Sequence, residues 1–239
     1  ANLAVLTPLI FLAVRDVPQG IDTAARDEPL RTITPPDSPL SLGRTLTSSQ
    51  LILLVAIYGI CGVQDFFVIT HIVAFARDQG MGAVLAGNML ALMGLTGLLG
   101  VLAAGFLADA FGAVRPTVIC FIIRIFIFAY IVFDQSTAAI MVFGLAFGFT
   151  NLITAPLTVV FVGNIFGMAR LGTLTGAIVM VHQFAGGFGA YLGAWIFDNR
   201  GSYDDAFKLM LILSLAAVML TYMVRERPLA GVATSSQPE

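Results

Sequence analysis

Three ionisable side chains lie deep inside long apolar stretches of this sequence, where a charge is costly and usually serves a function. They are Asp65, Arg124 and His182. A carboxylate at such a depth can bind a proton or a cation, or pair with an arginine. An arginine can hold an organic anion by paired hydrogen bonds, and a histidine titrates near neutral pH. The three residue types therefore predict a site for a proton and a small charged solute.

A structural role is the alternative for each of these residues. Asp65 and Arg124 can pair with each other, and His182 can be a core histidine bonded to a neighbouring helix. Five further polar residues are candidates for the same site: Gln64, His71, Asn151, Thr154 and Gln183. His71 lies near the end of its apolar run, where an interfacial histidine satisfied by water is equally expected. Pro156 removes one backbone hydrogen bond from its helix and frees a carbonyl that could line a cavity.

Six apolar runs must position these residues. They lie near 50–76, 82–108, 116–133, 136–166, 171–197 and 206–224. Hydrophobic residues make up 58% of the chain and charged residues 11%, with a mean hydropathy of +0.94. A membrane-spanning helix needs about 20 mainly apolar residues, and continuous apolar runs do not fit the alternating pattern of a barrel strand. The sequence predicts an all-α membrane protein, a six-helix transmembrane bundle over residues 50–228 in the lipid bilayer.

The remaining segments differ in composition. Residues 1–14 are apolar but too short to span a bilayer, so we interpret them as the end of a preceding transmembrane helix, with a signal segment as the alternative. Residues 15–49 mix charges with half of the ten prolines and predict a solvated linker. Residues 229–239 predict a solvated tail.

The positions of arginine and lysine predict the orientation. One side of the membrane collects eight of them: Arg15, Arg26, Arg31, Arg44, Arg115, Arg170, Arg225 and Arg227. The opposite side collects Arg77, Arg200 and Lys208. We therefore expect the linker and the C-terminus to be cytoplasmic.

Glycines predict where the helices approach one another closely. Gly87, Gly94 and Gly105 fall near one face of the second run. The fifth run carries Gly186 and a Gly189-x-x-x-Gly193 pair.

The turn between the second and third runs has the spacing of a known signature. Gly105, Asp109 and Gly112 match Gly-x-x-x-Asp-basic-x-Gly-basic-basic, and Arg115 approximates one basic position. Ala110 and Ala113 replace two others. The turn resembles that of the major facilitator superfamily, and six spans after a long linker resemble the second half of its twelve-helix fold. The resemblance implies a missing N-terminal six-helix half and a gating contact between Asp109 and the N-terminus of a neighbouring helix.

Residues His71 to Gly80 and His182 to Tyr203 look like the bacterial branch related to monocarboxylate carriers and oxalate/formate antiporters. That branch implies a bacterial inner membrane. In the family fold the third helix is peripheral, which favours pairing of Arg124 over substrate contact. Animal-type monocarboxylate carriers place an Asp-x-x-x-Arg pair where this chain has Gly97 and Val101, so the substrate and proton site of those carriers is not expected here.

The leading hypothesis is therefore a secondary transporter of a small polar metabolite, an organic anion, driven by protons or by exchange. A receptor or assembly protein without transport is the alternative, although it would not need three charges at such depth. Two histidines at different depths do not predict a metal centre or a catalytic set. The sequence contains no phosphate-binding loop, so no nucleotide cofactor is expected. The sequence has no basic stripe that could bind nucleic acid, so nucleic acid is not an expected partner.

Overall fold

Six long helices make up most of the structure, a computed structural model that describes residues 42–227. We label them α1 to α6, with the bounds Ser49–Asp78, Ala83–Phe111, Val114–Phe133, Thr137–Phe166, Leu171–Arg200 and Asp204–Met223. A one-turn helix, Leu42–Leu46, precedes α1, and a 3-10 turn, Met168–Arg170, precedes α5. The described residues contain no strand. The predicted all-α, six-helix fold class is confirmed.

Each of the six helices is long and apolar enough to cross a membrane. The shortest, α3 and α6, have 20 residues each, which corresponds to about 30 Å of helix, the thickness of the hydrocarbon core. The chain is therefore an integral membrane protein.

The segment predicted as linker, 15–49, contains the helix Leu42–Leu46 near its end. The rest of that segment lies outside the described residues. So do the expected helix end at 1–14 and the expected tail at 229–239.

Local signals explain where several helices begin and end. Ser48 and Ser136 precede α1 and α4, and each side chain accepts a hydrogen bond from the amide three residues on. Gly112, Gly167 and Gly201 follow α2, α4 and α5 with φ values of 74°, 78° and 71°. Residues with a side chain rarely adopt these angles, so the chain can turn sharply at these three points.

Glycines let two pairs of helices approach closely. The most extensive helix pairs are α1 with α5 and α2 with α4, followed by α3 with α6. A Cβ atom on Gly62 of α1 would overlap the backbone of α5, and one on Gly189 of α5 would overlap the backbone of α1. Likewise, a Cβ atom on Gly100 of α2 would overlap the backbone of α4, and one on Gly148 of α4 would overlap the backbone of α2. The close packing predicted for the α5 glycines is confirmed.

The glycine face predicted on α2 does not make such contacts. A Cβ atom on Gly87, Gly94 or Gly105 would meet no atom of the described chain within 4 Å. α2 approaches α4 instead through Gly97 and Gly100, which lie on another face of the same helix.

Two apolar clusters fill the bundle, one toward each end. α1 contributes Leu51 to Cys61 to one cluster and Phe67 to Ala76 to the other. α4 likewise contributes Ile153 to Phe166 to the first and Ala139 to Phe147 to the second. Between these segments lie Gln64 and Asp65 of α1 and Thr150 of α4, which belong to the polar layer described next.

Candidate functional site

A polar layer separates the two apolar clusters. Five of the six helices contribute to it, through Gln64, Asp65, Arg124, Thr150, His182 and Ser214. Because lipid-facing surface cannot satisfy such groups, they are satisfied by one another inside the bundle.

Arg124 is the centre of this layer and is fully buried. Its Nη2 lies 2.7 Å from Asp65 Oδ1 and donates to the backbone oxygen of Thr150 at 3.1 Å. Its Nη1 donates to Gln64 Oε1 at 3.0 Å, and its Nε donates to Thr150 Oγ1 at 3.2 Å. The guanidinium carbon also lies 4.8 Å from the ring centre of Phe147. The arginine charge is therefore engaged by partners on α1 and α4.

Gln64 extends the layer to α6. Its Nε2 donates to the backbone oxygen of Met210 at 2.9 Å and to Ser214 Oγ at 2.7 Å. These two bonds leave its Oε1 directed at Arg124. Gln64 is fully buried and therefore serves the packing of three helices.

Asp65 connects the buried arginine to the surface of the bundle. Its Oδ1 faces Arg124, whereas its Oδ2 lies 3.2 Å from His182 Nε2 and accepts from Cys61 Sγ at 3.3 Å. The sequence reasoning missed Cys61. The signal was present, because Cys61 precedes Asp65 by four residues and therefore lies on the same face of the helix.

His182 is the most accessible of the three deep ionisable residues. Its side chain is 20% exposed, compared with 5% for Asp65 and none for Arg124. It borders a cleft of about 280 Å³ between α1, α4 and α5. The polar residues of the cleft wall are Tyr58, Asp65, Asn151, Thr154, Thr158, His182 and Gln183. The apolar residues are Phe66, Ile69, Leu152, Ala155 and Val179.

The structure divides the predicted site residues into two groups. Five of them line the cleft: Asp65, Asn151, Thr154, His182 and Gln183. Three do not: Gln64, His71 and Arg124. Tyr58 and Thr158 were not predicted, yet both line the cleft, and both bond to the backbone oxygen of Thr154. Leu152 also lines it, and its carbonyl is the one that Pro156 deprives of a helical partner.

The cleft wall contains no lysine or arginine among the described residues. The side chains of Asn151 and Gln183 make no hydrogen bond within residues 42–227 and are therefore available to a solute. His182 is the residue of this wall whose side chain can carry a positive charge.

His71 belongs to a separate contact near the α5–α6 connection. Its Nε2 lies 2.8 Å from the backbone oxygen of Ala190 and must donate, because a carbonyl only accepts. Its Nδ1 lies 3.2 Å from the hydroxyl of Tyr203. Since Nε2 carries the proton of the neutral ring, Nδ1 accepts a hydrogen bond from that hydroxyl; burial raises the pKa of Tyr203. His71 is satisfied by protein groups and does not line the cleft, whereas the sequence left a site residue and an interfacial histidine satisfied by water as alternatives.

Three side chains of the layer offer ligands of the kinds that zinc accepts. Donor atoms of Cys61, Asp65 and His182 lie within 4.8 Å of one another. However, Arg124 Nη2 lies 2.7 Å from the same aspartate, and its Nη1 lies 3.7 Å from the cysteine sulfur. A divalent cation would be placed beside a fixed positive charge, so the geometry favours a network of hydrogen bonds and ion pairs.

The predicted gating turn is exposed where the sequence expected a contact. Asp109 and Arg115 are exposed and make no hydrogen bond or ion pair with any described residue. A Cβ atom on Gly105 would likewise meet open space. The carboxylate that reaches the N-terminus of α3 belongs to Glu226, which follows α6.

Comparison with known proteins places the fold. The profile described as "Major Facilitator Superfamily" matches residues 53–238. The crystal structure of an auto-inhibited POT family peptide transporter superposes with a TM-score of 0.67 at 18% identity, covering 80% of this chain and 39% of that chain. The POT family transporter PepTSo gives 0.63 at 16% identity, with the same coverage of 80% and 39%. At these identities the likeness concerns the fold alone.

Curated relatives are also membrane transporters. Monocarboxylate transporter 13 of Rattus norvegicus is 25% identical over 160 residues, which cover 65% of this chain and 37% of that protein. The Bos taurus protein of the same name is 26% identical, with coverage of 65% and 38%. The MFS transporter asaE of Aspergillus flavus is 24% identical, with coverage of 65% and 36%. The chain thus matches less than two fifths of the length of these relatives, which are transporters and not enzymes, and it belongs to the Major Facilitator Superfamily.

Proposed function

We propose that this chain forms the C-terminal half of a secondary transporter that moves a small organic anion by alternating access. The partner half would complete the cleft, because substrate sites of such carriers lie between two bundles near mid-membrane. The relatives named as monocarboxylate transporters support the choice of an organic anion. The arginine bias supports placing the linker and the C-terminus in the cytoplasm, and the sequence resemblance supports a bacterial inner membrane.

The contact between His182 and Asp65 is the observation that carries this proposal. One face of the imidazole borders the cleft, while its Nε2 lies 3.2 Å from a carboxylate that is almost fully buried. A protonated His182 can hydrogen-bond an anion in the cleft and remain paired with Asp65. A neutral His182 offers the anion no positive charge. Binding of the anion and of a proton would therefore favour each other at one residue.

Arg124 supports this arrangement without touching the solute. It is fully buried, and all of its contacts are with protein groups. Its pairing with Asp65 Oδ1 at 2.7 Å fixes the carboxylate so that Oδ2 is directed at His182. We assign Arg124 a positioning role, as the alternative interpretation of the sequence suggested.

The rest of the cleft fits a small solute with both polar and apolar parts. The free amides of Asn151 and Gln183 can orient a carboxylate or hydroxyl group. Phe66, Ile69 and Val179 provide an apolar wall for the carbon skeleton.

Uptake into vesicles would test the proposal. The full reading frame is reconstituted and offered a labelled panel of small carboxylates and sugars, with and without a proton gradient. We expect gradient-driven uptake of a carboxylate, its loss in His182→Ala, and its retention in the control His71→Ala at equal protein level. Uptake that ignores the gradient and survives His182→Ala would point to exchange or facilitated diffusion and reject proton coupling at this residue. No uptake of any compound would contradict the transport proposal itself.

A further inference from the structure

We propose that Glu226 is the residue that positions the signature turn between α2 and α3, distinct from the gating contact that the resemblance implied for Asp109. Glu226 lies three residues after the end of α6. Its carboxylate reaches across the end of the bundle to the turn, where Oε1 accepts hydrogen bonds from two successive backbone amides.

The two amides belong to Ala113 and Val114, at the start of α3; the bond from Val114 N measures 2.7 Å. The first amides of a helix have no partner inside the helix, and the helix dipole makes that end attractive to a negative charge. Hydrogen bonds from amides to a carboxylate are among the stronger ones in proteins. Glu226, which follows the last helix, thus supplies the hydrogen-bond acceptor that these two amides at the start of α3 lack within their own helix.

Gly112 lies directly against this carboxylate. Its φ of 74° is unfavourable for any residue with a side chain. In addition, a Cβ atom at this position would overlap the carboxylate of Glu226. The backbone conformation therefore favours glycine at this position, and the absence of a side chain lets the Glu226 carboxylate lie against it.

The segment that carries Glu226 is held at a second point. The backbone amide of Arg225 donates to Gln50 Oε1, in the first turn of α1, at 2.9 Å. Val224 is buried in the neighbouring apolar cluster. Residues 224–226, which we call the strap, therefore join the end of α6 to the starts of α1 and α3.

The strap leaves the acidic residue of the signature free. Asp109 is exposed and has no polar partner among residues 42–227, as is also true of Arg115. Because Glu226 holds the backbone of the turn, both side chains are presented in a fixed position to whatever packs on this end. This consequence rests on the proposed function, in which the turn must engage and release another bundle during each cycle.

Amide hydrogen exchange tests the contact directly and does not require transport. In the full-length protein, Glu226→Ala should speed exchange of the Ala113 and Val114 amides roughly 10- to 100-fold, the loss expected for hydrogen bonds to a charged group. The matched control Asp109→Ala should leave both amides unchanged. Unchanged exchange in Glu226→Ala, or an equal effect in Asp109→Ala, would overturn the proposal.

Transport kinetics distinguish a role of Glu226 in positioning the turn from a general loss of folded protein. Glu226→Ala should lower kcat about tenfold or more and leave KM within about twofold, because the cleft lies near the middle of the bundle and the turn at its end. Glu226→Gln keeps an acceptor oxygen at the same reach, so it should recover part of both the turnover and the amide protection. A rise in KM with kcat unchanged would contradict the assignment. If no solute is transported, the exchange measurement still decides the role of Glu226.

Discussion

Arg124 and Asp65 form an ion pair at 2.7 Å between α3 and α1, with side-chain exposures of 0% and 5%. Such a pair costs much desolvation and is retained only where its remaining hydrogen-bonding groups are also satisfied. Here the guanidinium is completed by Gln64 and Thr150, and the carboxylate by Cys61 and His182. The pair therefore holds the second carboxylate oxygen of Asp65 beside His182 at the edge of the cleft.

Removing one member of this pair should be more harmful than removing both. We expect Asp65→Asn to destabilise the protein by about 3–5 kcal/mol, because Arg124 would remain charged and unpaired. Arg124→Met should cost less, since His182 can still pair with Asp65. The double variant should recover part of the loss. Thermal unfolding in detergent measures this, and simple additivity of the two single losses would argue against the pairing.

The amides that line the cleft should affect solute affinity. Asn151→Ala and Gln183→Ala should each raise KM roughly 3- to 10-fold with little change in kcat, the effect of losing one hydrogen bond to the solute. The control Gln64→Ala changes a buried amide that does not line the cleft and should lower stability while leaving KM unchanged. Initial uptake rates over a range of solute concentrations would measure both parameters. A larger KM change in Gln64→Ala would contradict the division of the polar residues into cleft and core.

Two glycines in different environments should differ in how strongly alanine destabilises the protein. Gly189→Ala places a Cβ against the backbone of α1 at Val63, and we expect a loss of about 1–3 kcal/mol from separating α1 and α5. Gly94→Ala meets open space within the described bundle and should change stability by less than about 1 kcal/mol. Unfolding temperatures of the two variants compare them, and equal losses would show that α1 and α5 do not depend on this approach.

The hydroxyl of Tyr203 should stabilise the end of the bundle through His71. Tyr203→Phe removes the donor to the buried Nδ1 and should cost about 1–3 kcal/mol, the penalty of an unsatisfied buried group. Tyr191→Phe is the matched control, because Tyr191 is 65% exposed. Thermal unfolding distinguishes the two. A loss in Tyr191→Phe as large as in Tyr203→Phe would place the stabilising hydrogen bond elsewhere.

Local sequence patterns predicted the architecture because each pattern concerns neighbouring residues. The six apolar runs specify six helices, since a backbone in lipid must satisfy its own polar groups. The spacing of Gly105, Asp109 and Gly112 likewise predicted the family, which the profile match confirms. The depth of Asp65, Arg124 and His182 marked three residues of the polar layer.

Partners distant in sequence could not be predicted in this way. Arg124 meets Asp65 59 residues away, and Glu226 meets Val114 112 residues away. Contacts of this kind depend on which helix faces which, and glycine approaches such as that of Gly62 with α5 determine that choice. The same packing turned His71 inward to Tyr203 and brought Cys61 into the layer. The sequence by itself determined a six-helix membrane bundle of known family with charges at mid-depth. The tertiary structure decided which of those charges borders the cleft, because only packing sets the distance between side chains on different helices.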